Sequence, residues 1–179
     1  MQKLAKFLYF KIMGWTLEGD LPRQLKKYVI IVVPHTSWFD FFLGLLIRAV
    51  LQEQINFIGK KSLFAPPFGW FFRWMGGAPI DRSKSSDTVS ATAKIFENRQ
   101  EFRLALSPEG TRKKVKQWKT GFYYISKTAK VPIVLVAFDY GTKCIKISEP
   151  RVPTENMEDD FKSYRLFFKG VVGKIPEYT

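Results

Sequence analysis

Cysteine and histidine each occur once in this chain of 179 residues. With Cys144 alone there is no intrachain disulfide and no cysteine-based zinc site, and nothing demands an oxidising compartment. Acids are scarce as well: 16 Asp and Glu against 29 Lys and Arg leave a formal charge of +13. A field of that sign draws anionic partners, whether nucleic acid, lipid headgroups, phosphorylated small molecules or acidic carrier proteins. Long apolar runs are missing. The longest stretch without Asp, Glu, Lys or Arg is the twelve residues Tyr28 to Phe39, well short of the ~20 that a spanning helix needs. No apolar core followed by a small-residue cleavage site opens the chain, so no cleavable signal peptide is expected. If the protein meets a bilayer, it is expected to lie on it.

Aromatic residues are plentiful: 17 Phe, 7 Tyr and 5 Trp make up 16% of the sequence. That exceeds what a small core needs and points to rings at a surface, such as a lipid interface or an apolar groove. Hydrophobic residues at 46% exclude a disordered chain, and the length fits one domain with a real core. The first 17 residues combine Lys3, Lys6 and Lys11 with Leu4, Phe7, Leu8, Phe10, Ile12, Met13 and Trp15, and contain no acid. This reads as a basic amphipathic helix, either docked on the core or lying in a membrane interface.

Further along, β-branched apolar runs alternate with helical patterns. Strands are expected over 28–34, 56–59, 78–80, 103–106, 131–140 and 143–147. Helices are expected over 37–52, within 63–75, and over 86–98, 120–129 and 155–172. The alternation predicts an α/β fold, a single domain with a largely parallel sheet flanked by helices. Residues 1–27 form an N-terminal interfacial helix and linker, and 28–179 the main domain.

Three clusters carry chemistry. In His35-Thr36-Ser37-Trp38-Phe39-Asp40 the one histidine is followed five positions later by a carboxylate. Five residues along a helix is roughly 140° of rotation, so the pair cannot share a helical face. They meet if His35 lies on the turn before a helix and Asp40 on its first turn, where Asp40 would orient the imidazole as a general base. The same Ser37-to-Asp40 spacing is also that of a helix capping box. The second cluster, Ser107-Pro108-Glu109-Gly110-Thr111-Arg112, follows a strand and suits an anion site, Arg112 bidentate and Thr111 and backbone amides beside it. It is equally ordinary turn chemistry. The third, Gly76 to Arg82, sets Asp81 beside Arg82, a structural pair or part of the same anion site. Cys144 reads as packing.

Taken in order, these clusters resemble the blocks of the PlsC-like glycerolipid (lysophosphatidic acid) acyltransferase superfamily. His35 and Asp40 match the first block. Lys60-Lys61-Ser62-Leu63-Phe64, Pro67-Phe68-Gly69-Trp70 and Gly77-Ala78-Pro79-Ile80-Asp81-Arg82 match the second. Pro108 to Arg112 match the third, and Val131-Pro132-Ile133-Val134 the fourth. Pro34, Ser107 and Leu135 depart from common family residues, which leaves the chemistry untouched and the acceptor open.

The resemblance implies the acyltransferase fold over 28–179 and an O-acyltransferase that moves a fatty acyl group from acyl carrier protein or coenzyme A to a lysolipid. The acceptor it implies is 1-acylglycerol-3-phosphate or a related anionic or amino lysolipid. His35 is then the base and Asp40 its orienter. Arg82, Glu109, Gly110, Thr111 and Arg112 bind the acceptor's head. No metal or cofactor beyond the thioester co-substrate is implied. The expected setting is the cytoplasmic face of an anionic membrane, as a peripheral protein with no nucleic-acid partner. The rival reading is a non-enzymatic basic module that binds membrane or RNA.

Overall fold

The computed structural model describes residues 2–80 and 85–179. Its spine is β2 (Lys27–Val33), whose Tyr-Val-Ile-Ile-Val-Val run is buried almost throughout. Strands buried on both faces read as continuous β-branched runs and sit at the centre of parallel sheets. Here β2 is flanked by β5 (Phe102–Leu106) and β6 (Ile133–Asp139), both parallel to it. Beyond β6 lie β7 (Cys144–Ile147), antiparallel to it, and then β1 (Thr16–Glu18), parallel to β7. The five-stranded order is β1-β7-β6-β2-β5. The expected α/β architecture with a mostly parallel sheet is what the structure shows.

Side chains alternate across a strand, and β2 divides them cleanly. Val29, Ile31 and Val33 face a cluster with Phe96 of α4 (Ser85–Asn98), Phe122 of α5 (Gly121–Ala129), and Phe161 and Tyr164 of α6 (Met157–Phe167). Tyr28 and Ile30 face the other cluster, with Tyr9, Leu43, Ile47 and Val50. Leu43, Ile47 and Val50 belong to α2 (Phe39–Leu51). Tyr9 belongs to the N-terminal helix, which is α-helical over Gln2–Lys6 (α1) and widens to a π-helix over Phe7–Ile12.

The expected 17-residue helix stops early. Gly14 adopts φ 66°, a left-handed conformation that ends the helix, and Thr16–Glu18 add an edge strand instead. Similarly, the helix expected to 172 ends at Phe167, and Gly170 turns the chain with φ 81°.

A smaller sheet pairs β3 (Phe57–Lys60) with β4 (Gly77–Ile80), in parallel. Between them run a 3-10 turn, Lys61–Phe64, and the short helix α3 (Gly69–Trp74). Asn56 joins this module to the main sheet. Its backbone amide donates to the Arg103 carbonyl (2.7 Å), its carbonyl accepts from Ala105 (2.8 Å), and its side-chain amide donates to the Gly76 carbonyl (3.1 Å). Among the described residues no helix is long and apolar enough to cross a membrane.

Candidate active site

Parallel α/β sheets place ligand sites beyond the carboxyl ends of their strands. Two of the three central parallel strands deliver the clusters singled out above. β2 runs into His35, and β5 runs into Ser107 and the Pro108-to-Arg112 loop. The third, β6, ends beside Tyr140.

Asp40, only 2% exposed, is the hub. Its Oδ2 accepts from the Thr36 amide at 3.0 Å and the Ser37 amide at 2.9 Å, and lies 3.0 Å from His35 Nδ1. Its Oδ1 accepts from the Tyr140 hydroxyl at 2.7 Å. Meanwhile Ser37 Oγ accepts from the Phe39 amide at 3.2 Å. The capping box is thus only half formed: Ser37 Oγ takes the Phe39 amide rather than that of Asp40, and Trp38, the residue before α2, makes no side-chain cap. The Asp40 carboxylate instead holds the turn before the helix and faces the imidazole. Burial opposes the charge on Asp40, but hydrogen bonds from His35, Tyr140 and Ser37 outweigh it and hold the carboxyl below its usual range. The Tyr140 phenol is pushed upward, by burial first and then by the Asp40 carboxylate.

Glu109 lies behind the histidine. Its Oε2 accepts from the His35 backbone amide at 2.7 Å and from the Ser107 hydroxyl at 3.1 Å, and the Glu109 amide donates back to Ser107 Oγ at 3.2 Å. This side chain thus ties the β2 and β5 loops together. Burial pushes its pKa up, against the pull of the His35 amide and the Ser107 hydroxyl. Gly110 turns the loop with φ 64°, a conformation that favours glycine, and the Lys119 amide closes it on the Pro108 carbonyl at 2.7 Å.

Two cavities meet at His35. The first, of about 290 Å³, lies between α2 and the sheet and is lined by apolar side chains including Ile30, Phe41, Val136 and Phe138, with Gly44 in its wall. Arg48 also lines it, its Nη1 donating to the Met75 carbonyl, and burial lowers its pKa. The second is a more polar groove of about 1280 Å³ that contains Ser107, Gly110, Thr111, Arg112, Trp118 and Lys119. His35 lines both. A molecule with an apolar tail and an anionic head can therefore lay its junction against the imidazole. With Nδ1–H directed at Asp40, Nε2 carries the lone pair that can take a proton.

Of the residues named from sequence, His35, Asp40, Gly110, Thr111 and Arg112 gather around these two spaces. Glu109 sits between their loops, outside the groove lining. Arg82, with Asp81, lies outside the described residues. Val134 packs on the α2 side of the sheet, while Val131 and Ile133 face the opposite cluster. Among the described residues no group of three or more His, Cys, Asp or Glu side chains is placed to share a metal ion. Tyr140 was missed, being 100 residues from its partner. The available signal was its place just past β6, a neighbour of β2 at the same end of the sheet.

Comparison with known proteins matches residues 15–139 to the family model described as Acyltransferase. A 1-acyl-sn-glycerol-3-phosphate acyltransferase of Streptococcus pneumoniae is 31% identical over 133 residues, covering 69% of this chain and 49% of that protein. The 1-acyl-sn-glycerol-3-phosphate acyltransferase beta of Homo sapiens is 33% identical over 153 residues, covering 78% and 53% respectively. The chain thus spans about half the length of these curated relatives. Among solved structures, the 1-acyl-sn-glycerophosphate (LPA) acyltransferase PlsC of Thermotoga maritima superposes with a TM-score of 0.64 at 19% identity. It covers 93% of this chain and 74% of that one, a likeness of fold.

Proposed function

The chain belongs to the acyltransferase family, and on that premise we propose that it transfers a fatty acyl group from a thioester to the hydroxyl of an anionic lysolipid. The acceptor named for the relatives, 1-acylglycerol-3-phosphate, is the first candidate. The observation that carries this reading is the position of His35 at the junction of an apolar cavity and a cationic groove, with a buried carboxylate behind it.

The reaction follows from that placement. The acceptor's phosphate enters the groove, where Arg112 offers a planar pair of donors and Thr111 a hydroxyl. The acceptor's own acyl chain lies in the apolar cavity beneath α2. His35 Nε2 removes the proton of the acceptor hydroxyl as its oxygen attacks the thioester carbonyl. The tetrahedral intermediate collapses with cleavage of the C–S bond, and the imidazolium returns its proton to the departing thiolate. Asp40 keeps Nδ1 protonated and offsets the positive charge that forms on the ring. Glu109 acts through the His35 backbone and is a positioning residue in this scheme. The donor is acyl carrier protein or coenzyme A, both anionic and both drawn by the +13 charge. The protein works peripherally, on the anionic cytoplasmic face of a membrane.

The test is incubation of the purified protein with a labelled acyl thioester and a lysolipid. His35→Ala should abolish labelled product while leaving the unfolding curve in place. Turnover retained by that variant refutes the base assignment. A wild type that yields no labelled product would favour the view that the chain is a basic binding module instead.

A further inference from the structure

The outer side of α2 presents an anomaly of composition. Its two charged residues, Asp40 and Arg48, are both engaged inward, one in the histidine pair and one on the Met75 carbonyl. What remains outside is hydrocarbon: Trp38 is 62% exposed, and Phe41 and Phe42 are exposed beside it. A helix apolar on every side belongs inside a protein or against lipid. The sheet, the N-terminal helix and the small module cover this one in part, and leave the side of Trp38, Phe41 and Phe42 open. Its 13 residues span about 20 Å, too short to cross a bilayer, so it can only lie along one.

The neighbouring module extends the same surface. Trp70 and Trp74 of α3 are 69% and 72% exposed, and Phe68 precedes them in the open. Tryptophan combines an apolar ring with one polar N–H and concentrates at the headgroup level of membranes. From Gln54 to Ile80 the sequence carries Lys60, Lys61 and Arg73 and no acid at all, and all three cations are exposed. Such a rim complements anionic headgroups. It opposes a second copy of itself, because a two-fold interface would bring like charges together.

Phe41 links this surface to the site. Its ring is exposed on the outside, lines the apolar cavity, and meets Phe57 across the cavity wall at 5.9 Å. The outer apolar surface is therefore continuous with the cavity that ends at His35.

We infer that the exposed aromatic face of α2 and α3 docks flat on an anionic lipid bilayer, so that an acyl chain passes from the membrane into the cavity beneath α2 without crossing water. This rests on the acyl-transfer reading for the purpose of the passage, and on the surface alone for the docking.

The experiment uses the full chain and a Trp70→Ser, Trp74→Ser double variant, both substitutions being at exposed positions outside the cavity and groove. Flotation is measured with phosphatidylcholine vesicles, with and without phosphatidylglycerol. Tryptophan quenching by brominated lipid reads depth. The wild type should float with the anionic vesicles and be quenched by the bromines. The variant's partition constant should fall by about tenfold or more. Turnover on a vesicle-borne acceptor should fall with it, while turnover on a short-chain acceptor dispersed as monomer stays unchanged. Equal flotation of variant and wild type overturns the docking. So does an equal loss on both acceptors, which would place the tryptophans in the chemistry. A wild type that sediments as a dimer and a variant that sediments as a monomer would also overturn it, assigning the face to a second copy. Flotation needs no turnover. A wild type that binds vesicles but transfers no acyl group would therefore sink the proposed reaction and leave the docking standing.

Discussion

Replacing Asp40 by Asn tests what the buried carboxylate contributes. Two backbone amides, of Thr36 and Ser37, converge on Oδ2. An asparagine NH2 placed there would face two N–H groups, so its carbonyl oxygen must take that position. The NH2 group then falls where Oδ1 was and donates to the Tyr140 oxygen, whose own hydrogen is free to rotate. His35 keeps an acceptor 3.0 Å from Nδ1 and hence its tautomer. Only the negative charge is lost. A unit charge about 4 Å from the imidazolium, at an effective dielectric near 20, is worth about 4 kcal/mol. His35 is 31% exposed, and solvent screening trims the value to roughly 3 kcal/mol.

That corresponds to a fall in kcat of roughly a hundred- to a thousandfold, with KM little changed. Thiol release from the acyl thioester gives the rate. Because His35 is the only histidine, a protein labelled with nitrogen-15 in histidine reports one imidazole and its tautomer without assignment work. A kcat within about tenfold of wild type would mean that the charge is not used. An Nε2–H tautomer in the variant would refute the argument that the backbone fixes the oxygen.

Three further outcomes follow from the same geometry. Tyr140→Phe removes a hydrogen bond to a buried carboxylate, costing about 1.5–3 kcal/mol. The depressed Asp40 pKa contributes stability above the unfolded value near 4 and loses it as pH falls through the folded one. The deficit should therefore be full at neutral pH and shrink in acid, as urea unfolding at several pH values would show. A constant deficit would detach Tyr140 from Asp40. Glu109 has the opposite sign. Its raised pKa makes its contribution complete below about pH 4.3 and lost as pH climbs through the folded value. Glu109→Gln should match or exceed wild-type stability at pH 7. Glu109→Ala, which strands the His35 amide, should lose about 1–3 kcal/mol. A Gln variant as unstable as the Ala variant would refute the tie between the loops. In Gly44→Leu, a Cβ at position 44 meets nothing within 4 Å, and the residue lines the apolar cavity, which the larger side chain should narrow. The fold should survive, with kcat/KM for long-chain lysolipid acceptors falling and that for short-chain ones kept. Equal losses for both lengths would remove the cavity from acyl binding.

Much of the architecture was readable because burial leaves a signature in composition. β2 and β6 are β-branched runs bounded by Pro34 and Pro132, and α2 follows a residue pattern that caps a helix. What escaped was fixed by contacts remote in sequence. β1 is three residues long and forms only because β7 offers an edge. Tyr140 meets Asp40 through sheet order, which no local pattern encodes. Glu109 lies among residues that suit an anion site, and its side chain nevertheless turns to a backbone amide 74 positions earlier. Nor do scattered Phe and Ile residues in the sequence disclose a hollow between a helix and a sheet.

Asn56 is the seam between two bodies. The main sheet contributes one wall of the hollow beneath α2, while Phe57 and Met75 of the small module contribute another. Substitutions at Phe57 or Met75 alter that wall without touching the imidazole and its carboxylate, which belong to the main sheet and α2. Selection can therefore retune the calibre of the chain admitted and leave proton transfer alone.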